Sequence, residues 1–155
     1  MTNKIAVITG GLSGIGLASA KALIQQGQTV VIGSRRCNTK EASSIQKSLD
    51  KKVIFYQLDV SDKKSVTSFT NQIEKEFGPP EILINAAGIY EEAQIVDCDT
   101  SHWHNQIDIN LTGPFLMTQA LMPGMIKKKF GRIINIASTA GRVGEAGYSG
   151  YCASK

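Results

Sequence analysis

The sequence predicts an α/β fold built around a doubly wound parallel sheet. Short apolar runs alternate with amphipathic segments along the whole of the 155-residue chain. Strands that are apolar throughout are typical of a sheet covered on both faces, and regular strand–helix alternation is typical of βαβ units. The length suits one domain with a real core, and 42% hydrophobic against 19% charged residues excludes a disordered chain.

The predicted elements follow one another in order. Strands are expected at residues 5–8, 29–32, 53–56, 82–84 and 132–137. Helices are expected at 14–26, 39–50, from a cap at Ser61 or Asp62 to Gly78, and from about 100 to 128. The pairs Gly113-Pro114 and Pro123-Gly124 are expected to kink or break the last of these, because proline lacks an N–H donor. Residues 138–150 predict a glycine-rich loop, and a further helix is expected from Tyr151.

The first strand runs into a glycine-rich turn. Its sequence is Thr9-Gly10-Gly11-Leu12-Ser13-Gly14-Ile15-Gly16. Glycines at a strand-to-helix turn let the backbone approach a pyrophosphate, and the helix N-terminus offers free N–H groups. A Walker loop is excluded because Leu17-Ala18 follow Gly16, where that motif needs Lys and then Ser or Thr. The turn therefore predicts nucleotide binding, with a tight turn that binds nothing as the alternative.

This turn resembles the T-G-x-x-x-G-x-G motif of the short-chain dehydrogenase/reductase family, and other motifs extend the resemblance along the chain. Asn85-Ala86-Ala87-Gly88, after the fourth strand, is similar to the family's N-A-G motif. Tyr151-Cys152-Ala153-Ser154-Lys155 fits Y-x-x-x-K and comes thirteen residues after Ser138. Tyr and Lys four positions apart share a helix face, so the ammonium can approach the phenol and favour its ionised form. The chain most resembles β-ketoacyl-(acyl carrier protein) reductases.

The resemblance implies a Rossmann-type doubly wound parallel sheet of about five strands and four catalytic residues. Tyr151 would protonate the substrate oxygen, Ser138 would hydrogen-bond it, and Lys155 would support Tyr151 and bind ribose. Asn110 would support a catalytic water. Plainer interpretations stay open: Asn110 bonding to a neighbouring backbone, and Ser138 as a capping or loop hydroxyl.

The second strand predicts NADP in preference to NAD. An NAD site usually carries an acid about ~20 residues after the glycines, whereas this strand leads into Ser34-Arg35-Arg36. Guanidinium groups bind phosphate bidentately, with two solvent-exposed arginines as the alternative. The resemblance also gives Asp59-Val60 to the adenine, with a helix-capping acid as an equal alternative. The predicted cofactor-binding residues are Thr9, Gly10, Ser13, Gly14, Ile15, Gly16, Ser34, Arg35, Arg36, Asp59, Val60, Asn85, Ala86, Ala87, Gly88, Tyr151 and Lys155.

The function implied is an NADP-dependent oxidoreductase that transfers hydride between nicotinamide and a carbonyl or secondary alcohol. Its partner would be a small molecule, and the full-length form would be a homo-oligomer. Family members continue past the catalytic lysine with the rest of the helix, a further strand, a lid and a final strand. We therefore expect residues 1–155 to form one nucleotide-binding domain, incomplete at its C-terminus and inactive alone. The alternative is a non-catalytic nucleotide-binding fragment or truncated isoform.

Charge and composition argue against other classes. The net charge of +4 is mild and spread along the chain, which does not favour nucleic acid. No apolar window reaches the ~18 residues of a membrane span, and the N-terminus lacks a signal-peptide layout. The three cysteines fit neither a disulfide framework nor a zinc site, and we expect no metal at His102 and His104, which flank Trp103. We expect no metal and a cytoplasmic protein with reduced thiols.

Overall fold

A computed structural model describes residues 3–49 and 53–155, which form a five-stranded parallel sheet flanked by helices. The strands are β1 Ile5–Thr9, β2 Thr29–Ser34, β3 Val53–Gln57, β4 Ile82–Asn85 and β5 Arg132–Asn135. The helices are α1 Gly14–Gln25, α2 Lys40–Ser48, α3 Lys63–Phe77, α4 Thr100–Ile107, α5 Gly113–Lys127 and α6 Ser149–Ser154. The predicted α/β fold is confirmed.

The strand order is β3-β2-β1-β4-β5, with every neighbouring pair parallel. Ile8 of the central strand lies opposite Ile32 on one side and Ile84 on the other. The winding reverses between β1 and β4. In an open parallel sheet, such a reversal leaves a crevice at the carboxyl ends of the two strands, where ligands bind.

Side chains of alternate strand residues build a core on each face of the sheet. Val7, Val31 and Leu83 pack in one cluster with residues of α3 and α5, among them Phe69 and Leu121. The neighbouring strand residues point to the other face. There Ala6, Ile8, Val30, Ile32 and Ile84 pack with Ala20 of α1.

The helix expected from 100 to 128 is divided in two by a wide turn. Residues Asp108–Thr112 form a π-helical turn between α4 and α5. Pro114, in the first turn of α5, has no N–H to donate to the carbonyl of Asn110, so an ordinary α-helical ladder cannot pass this point. Pro123, by contrast, lies inside α5 without ending it. Gly124 lets this helix approach Pro79, since a Cβ at Gly124 would lie 2.6 Å from the proline Cβ.

Several other boundaries differ from the expected ones by a few residues. The fifth strand ends at Asn135 instead of residue 137, and α6 begins at Ser149, two residues before Tyr151. Inside the predicted loop, Thr139–Gly141 form a 3-10 turn. The helix expected at 39–50 is α2, whose predicted end at residue 50 lies outside the described residues.

Glu81 links the N-terminal ends of β1 and β5, at the edge of the sheet opposite the crevice. Its carboxylate accepts the backbone N–H of Ile5 at 2.9 Å and pairs with the Lys128 ammonium at 2.7 Å. Its backbone carbonyl accepts the N–H of Arg132 at 2.9 Å. Burial by itself raises the pKa of Glu81, but the hydrogen bonds from Lys128 and Ile5 outweigh it and lower that pKa below its ordinary value.

Candidate active site

A cleft of about 710 Å³ opens where the winding of the sheet reverses. Four segments supply most of its lining: the glycine turn after β1, the end of β2, the residues that follow β3, and the residues that follow β4; Ile109 and Ile136 complete it. From the predicted cofactor set they contribute Gly10, Ser13, Gly14, Ile15, Gly16, Ser34, Arg35, Arg36, Asp59, Val60, Ala86, Ala87 and Gly88. These residues come from separate parts of the chain and meet at one cleft, whereas Thr9, Asn85, Tyr151 and Lys155 of the predicted set do not line it.

The glycine turn is so tight that side chains could not occupy two of its positions. Gly10 has φ +68°, and a Cβ there would lie 2.8 Å from the Cα of Ala87. A Cβ at Gly16 would lie 2.5 Å from the carbonyl oxygen of Gly10. The turn thus presents bare backbone at the N-terminus of α1, the arrangement that admits a phosphate.

Two further residues hold this turn from behind. The buried Thr9 hydroxyl accepts the N–H groups of Ala86 and Ala87, at 3.2 and 3.1 Å, and so ties the end of β1 to the segment after β4. Gly11, a variable position in the motif, packs on Ile32, and a Cβ there would meet that side chain at 2.9 Å. Thr9 therefore supports the cleft without lining it.

The end of β2 carries the two arginines into the cleft. The Ser34 hydroxyl accepts the N–H of Arg36 at 3.1 Å, which fixes the first bend of this segment. Gln57, at the end of β3, donates to the carbonyl of Arg35 at 3.2 Å. The sequence motifs gave no sign of Gln57, because its role depends on β3 lying beside β2.

Asp59 is not the cap of α3. Asp62 has that role, since its carboxylate accepts the N–H of Lys64 at 2.9 Å. One carboxylate oxygen of Asp59 accepts both the N–H and the hydroxyl of Ser61, at 3.0 and 2.6 Å. Asp59 also lines the cleft, so it organises the turn after β3 at the same place where an adenine amino group is expected.

Asn85 lies beneath the cleft, beside a second cavity of about 160 Å³. Its amide donates to the Asn135 side-chain oxygen on β5 at 2.8 Å, and the residue is 3% exposed. Ser154 and Lys155 line the same small cavity. The first residue of the N-A-A-G motif therefore joins β4 to β5 instead of facing the larger cleft.

The Asn110 side chain clamps the segment after β4 onto the helices. Its oxygen accepts the N–H of Ile89 at 2.8 Å, and its amide donates to the Ile89 carbonyl at 2.7 Å. The second amide proton goes to the Ser154 hydroxyl at 2.9 Å, and Ser154 in turn donates to the carbonyl of Tyr151 at 2.9 Å. The side chain thus bonds to backbone 21 positions away and to Ser154, and its part in supporting a catalytic water stays a prediction.

Tyr151 lies in α6 and Lys155 directly follows its last residue, and their side chains lie beside each other, as the spacing predicts. The Lys155 ammonium lies 5.8 Å from the Tyr151 ring centroid and donates to the carbonyl of Ile136 at 3.0 Å. Burial lowers the pKa of Lys155 below its ordinary value. The 3-10 turn begun by Ser138 packs on α6, and the Ser138 hydroxyl accepts the N–H of Ala140 at 3.2 Å. The cleft reaches this group through Ile136 and Tyr90, whose ring lies 6.1 Å from that of Tyr151.

Comparison with known proteins agrees with this geometry. The model of the short chain dehydrogenase family matches residues 4–155. The chain belongs to the short-chain dehydrogenase family. It is similar over 99% of its length to the crystal structure of a short-chain dehydrogenase from Streptomyces avermitilis, with a TM-score of 0.92 and 27% identity, and it covers 56% of that chain.

The relatives to which this chain is similar are named for different substrates. A 3-oxoacyl-[acyl-carrier-protein] reductase FabG from Haemophilus influenzae is 38% identical over the whole of this chain, which covers 63% of the relative. A D-beta-hydroxybutyrate dehydrogenase from Cupriavidus necator is also 38% identical, and a galactitol 2-dehydrogenase from Agrobacterium fabrum is 36% identical. The chain spans 60% of the length of each of the latter two.

Residues outside the family motifs complete the site of this short-chain dehydrogenase. Gln106 is buried in α4 and holds the backbone of Glu91, accepting its N–H at 3.1 Å. Ser154, within α6, bonds to Asn110 and to the carbonyl of Tyr151, and the Tyr90 ring lies 6.1 Å from that of Tyr151. The sequence alone could have pointed to Ser154, because it directly precedes the lysine of Y-x-x-x-K. Nothing in local spacing points to Tyr90 or Gln106.

Within residues 3–49 and 53–155, no helix is long and apolar enough to cross a membrane. Over the same residues, no three His, Cys, Asp or Glu side chains are grouped so that they could hold a metal ion. The three cysteines, Cys37, Cys98 and Cys152, are free thiols.

Proposed function

We propose that the protein is an NADP-dependent oxidoreductase that interconverts a carbonyl compound, of the β-ketoacyl type, and its secondary alcohol. One observation carries the proposal: a single cleft begins at Arg35 and Arg36, passes the glycine turn and ends at Tyr90 and Ile136, beside Tyr151 and Lys155. A binding site for a long anionic dinucleotide therefore leads directly to a pair of proton-transferring side chains.

The cleft fits a nicotinamide dinucleotide on its own geometry. The bare backbone at Gly10 and Gly16, where a Cβ would collide, suits the pyrophosphate. The guanidinium groups of Arg35 and Arg36 suit a 2′-phosphate, and Asp59 suits the adenine amino group. When bound, the nicotinamide supplies or accepts the hydride.

Proton transfer falls to residues of this chain. The Tyr151 hydroxyl gives its proton to the carbonyl oxygen during reduction and takes it back during oxidation. Lys155, held by the carbonyl of Ile136, places its ammonium 5.8 Å from the Tyr151 ring centroid. The Ser138 oxygen already accepts a backbone N–H, so its own proton is free to stabilise the substrate oxygen.

The test is turnover by the protein expressed from its complete gene. With NADPH and a neutral β-ketoester, loss of the 340 nm absorbance is expected, and Tyr151→Phe should reduce kcat by about a hundredfold or more. Tyr56→Phe is a matched control, because that phenol lies on β3 and bonds to Glu76. An unchanged rate in Tyr151→Phe would refute the assigned role. Nucleotide binding without turnover of any carbonyl would support the alternative, a non-catalytic nucleotide-binding chain.

Cofactor choice has its own test, which needs only binding. The protein should bind NADPH at least about tenfold more tightly than NADH, as measured by calorimetry. Replacing both Arg35 and Arg36 by alanine should remove most of that preference and leave the NADH affinity nearly unchanged. Equal affinities in the unmodified protein would refute the assignment of the two guanidinium groups to a 2′-phosphate.

The proposal extends to the setting of the reaction. By resemblance, residues 1–155 belong to a single nucleotide-binding domain, the substrate is a small molecule, and the active form is a cytoplasmic homo-oligomer. Light scattering of the purified protein measures the oligomeric state, and fractionation of cells tests the location.

A further inference from the structure

The two arginines of the cleft lie in the short connection between β2 and α2. This connection comprises residues 35–39, and we call it the arginine turn. Arg35 and Arg36 line the cleft and are exposed. Long exposed side chains lose conformational freedom when they bind a ligand, and a backbone that is already fixed reduces that loss. The contacts that fix the arginine turn therefore bear on how well the two guanidinium groups can hold an anion.

One side chain of the neighbouring strand bonds to the arginine turn at two points. Gln57 is the last residue of β3 and lies opposite Ser34 in the parallel register. Its amide donates to the carbonyl of Arg35 at 3.2 Å, and its oxygen accepts the Cys37 thiol at 3.2 Å. The two bonds require a donor and an acceptor on one side chain, which glutamine supplies. Burial raises the pKa of Cys37, so the thiol keeps the proton that its bond to Gln57 needs.

Local bonds hold Arg36, the residue between those two points. Its N–H donates to the Ser34 hydroxyl at 3.1 Å, and its carbonyl accepts the Thr39 hydroxyl at 2.9 Å. The backbone from the carbonyl of Arg35 to that of Arg36 is thus fully hydrogen-bonded. Ser34 and Thr39 flank the turn in sequence, whereas Gln57 comes from a different strand. Loss of the Gln57 amide would therefore free the Arg35 carbonyl while the bonds at Arg36 remain.

We propose that Gln57 is a positioning residue for cofactor choice, which holds the arginine turn in the conformation that presents both guanidinium groups to a 2′-phosphate. The inference rests on the proposed function and adds to it a residue that does not itself line the cleft. Bidentate binding of a phosphate depends on how the guanidinium groups are placed. NADH lacks the 2′-phosphate, so its affinity should not depend on Gln57. The ratio of the two affinities therefore separates positioning from a general effect on the fold.

The experiment measures Kd for NADPH and for NADH by calorimetry, with the protein from its complete gene. Gln57→Met keeps the length of this exposed side chain and removes both hydrogen bonds. It should weaken NADPH binding by about threefold to tenfold and leave NADH binding unchanged. Cys37→Ala should lower the ratio less, and Cys37→Ser, which keeps a donor, should preserve it. Gln72→Met is the matched control, because Gln72 is exposed on α3 and bonds to Glu76, and it should leave both affinities unchanged.

A second pair of ligands locates the effect. Adenosine 2′,5′-bisphosphate and 5′-AMP differ only in the 2′-phosphate, so Gln57→Met should weaken binding of the first and not of the second. An equal loss for both would contradict the inference, because it would mean that Gln57 supports the adenosine end of the cleft as a whole.

The outcomes separate this inference from the proposed function. Equal affinities for NADPH and NADH in the unmodified protein would refute the assignment of Arg35 and Arg36, and this inference with it. A preference that Arg35→Ala/Arg36→Ala removes and Gln57→Met leaves intact would overturn the inference alone. So would an equal loss of both affinities in Gln57→Met. The expected ratios in a protein that reduces no carbonyl would support this inference while refuting the proposed oxidoreductase activity.

Discussion

Replacing Ser154 by alanine should loosen α6 and lower the free energy of unfolding by about 1–2 kcal/mol. Ser154 stands between two parts of the site that are far apart in sequence. Its hydroxyl accepts the second amide proton of Asn110 at 2.9 Å and donates to the carbonyl of Tyr151 at the same distance. Both Ser154 and Asn110 are 5% exposed, so water cannot easily take the place of the lost hydroxyl.

The expected loss of stability follows from the Asn110 amide proton, which is left without an acceptor. A buried N–H that loses its acceptor destabilises the folded state by about 1–3 kcal/mol. Alanine is a better helix former than serine, and this offsets at most roughly 0.5 kcal/mol of that loss. The net loss of about 1–2 kcal/mol applies to Ser154→Ala, while Ser154→Thr, which keeps the hydroxyl, should lose less.

Urea unfolding followed by circular dichroism measures the change, with Ser44→Ala as the control. Ser44 is an exposed residue of α2, where the same substitution should change stability by less than about 0.5 kcal/mol. Hydrogen exchange supplies a local readout, because the Ile89 N–H donates to Asn110 and should exchange faster in Ser154→Ala. A stability loss no larger than that of the control, together with unchanged exchange at Ile89, would refute the reasoning.

Three further predictions concern other parts of the fold. Glu81→Gln should lower Tm at pH 7 and differ less from the unmodified protein near pH 3. Because folding lowers the pKa of Glu81, its ionised carboxylate stabilises the protein fully at any pH above the unfolded-state pKa of 4.5. That stabilisation is lost as the pH falls through the folded-state pKa. Burial and the bond to Glu76 raise the pKa of Tyr56 to about 12, so Tyr56→Phe should reduce the loss of stability between pH 10 and 12 in urea titrations. Gly16→Ala should weaken NADPH binding by about tenfold or more in calorimetry, while Gly144→Ala, where a Cβ meets open space, should not.

Local patterns were enough to predict the sheet and the ends of the cleft. The apolar runs of the five strands, the glycine spacing at Gly10 and Gly16, and the four-residue spacing of Tyr151 and Lys155 each depend on residues close together in sequence. A parallel sheet then brings strand ends to one edge, so the sequence also predicted which motifs share the cleft. The structure brings the glycine turn, the two arginines and the segment after β4 to one cleft, whereas Asn85, Tyr151 and Lys155 lie outside its lining.

Bonds between distant residues could not be predicted in the same way. Asn110 contacts Ile89 and Ser154, which lie 21 and 44 positions away, and no periodicity encodes such pairs. Asp59 remained ambiguous because an acid after a strand can cap a helix or face a ligand, and only the position of Asp62 decides the capping role. Tyr90 acquires its place from the bond between Ala93 and Gly147, which depends on two loops meeting.

The π-helical turn at Asp108–Thr112 changes the direction in which the side chains of α5 point relative to those of α4. Gln106 and Met125 are both buried and lie 19 positions apart, whereas five α-helical turns use about 18 residues. The π-helical turn takes up the one extra residue. Deleting a residue here would rotate α5 by about 100° relative to α4 and carry either Asn110 or Met117 away from the interior. The turn therefore sets the rotation between two parts of one long helical segment: Gln106 and Asn110 hold the segment after β4, and α5 packs against the sheet.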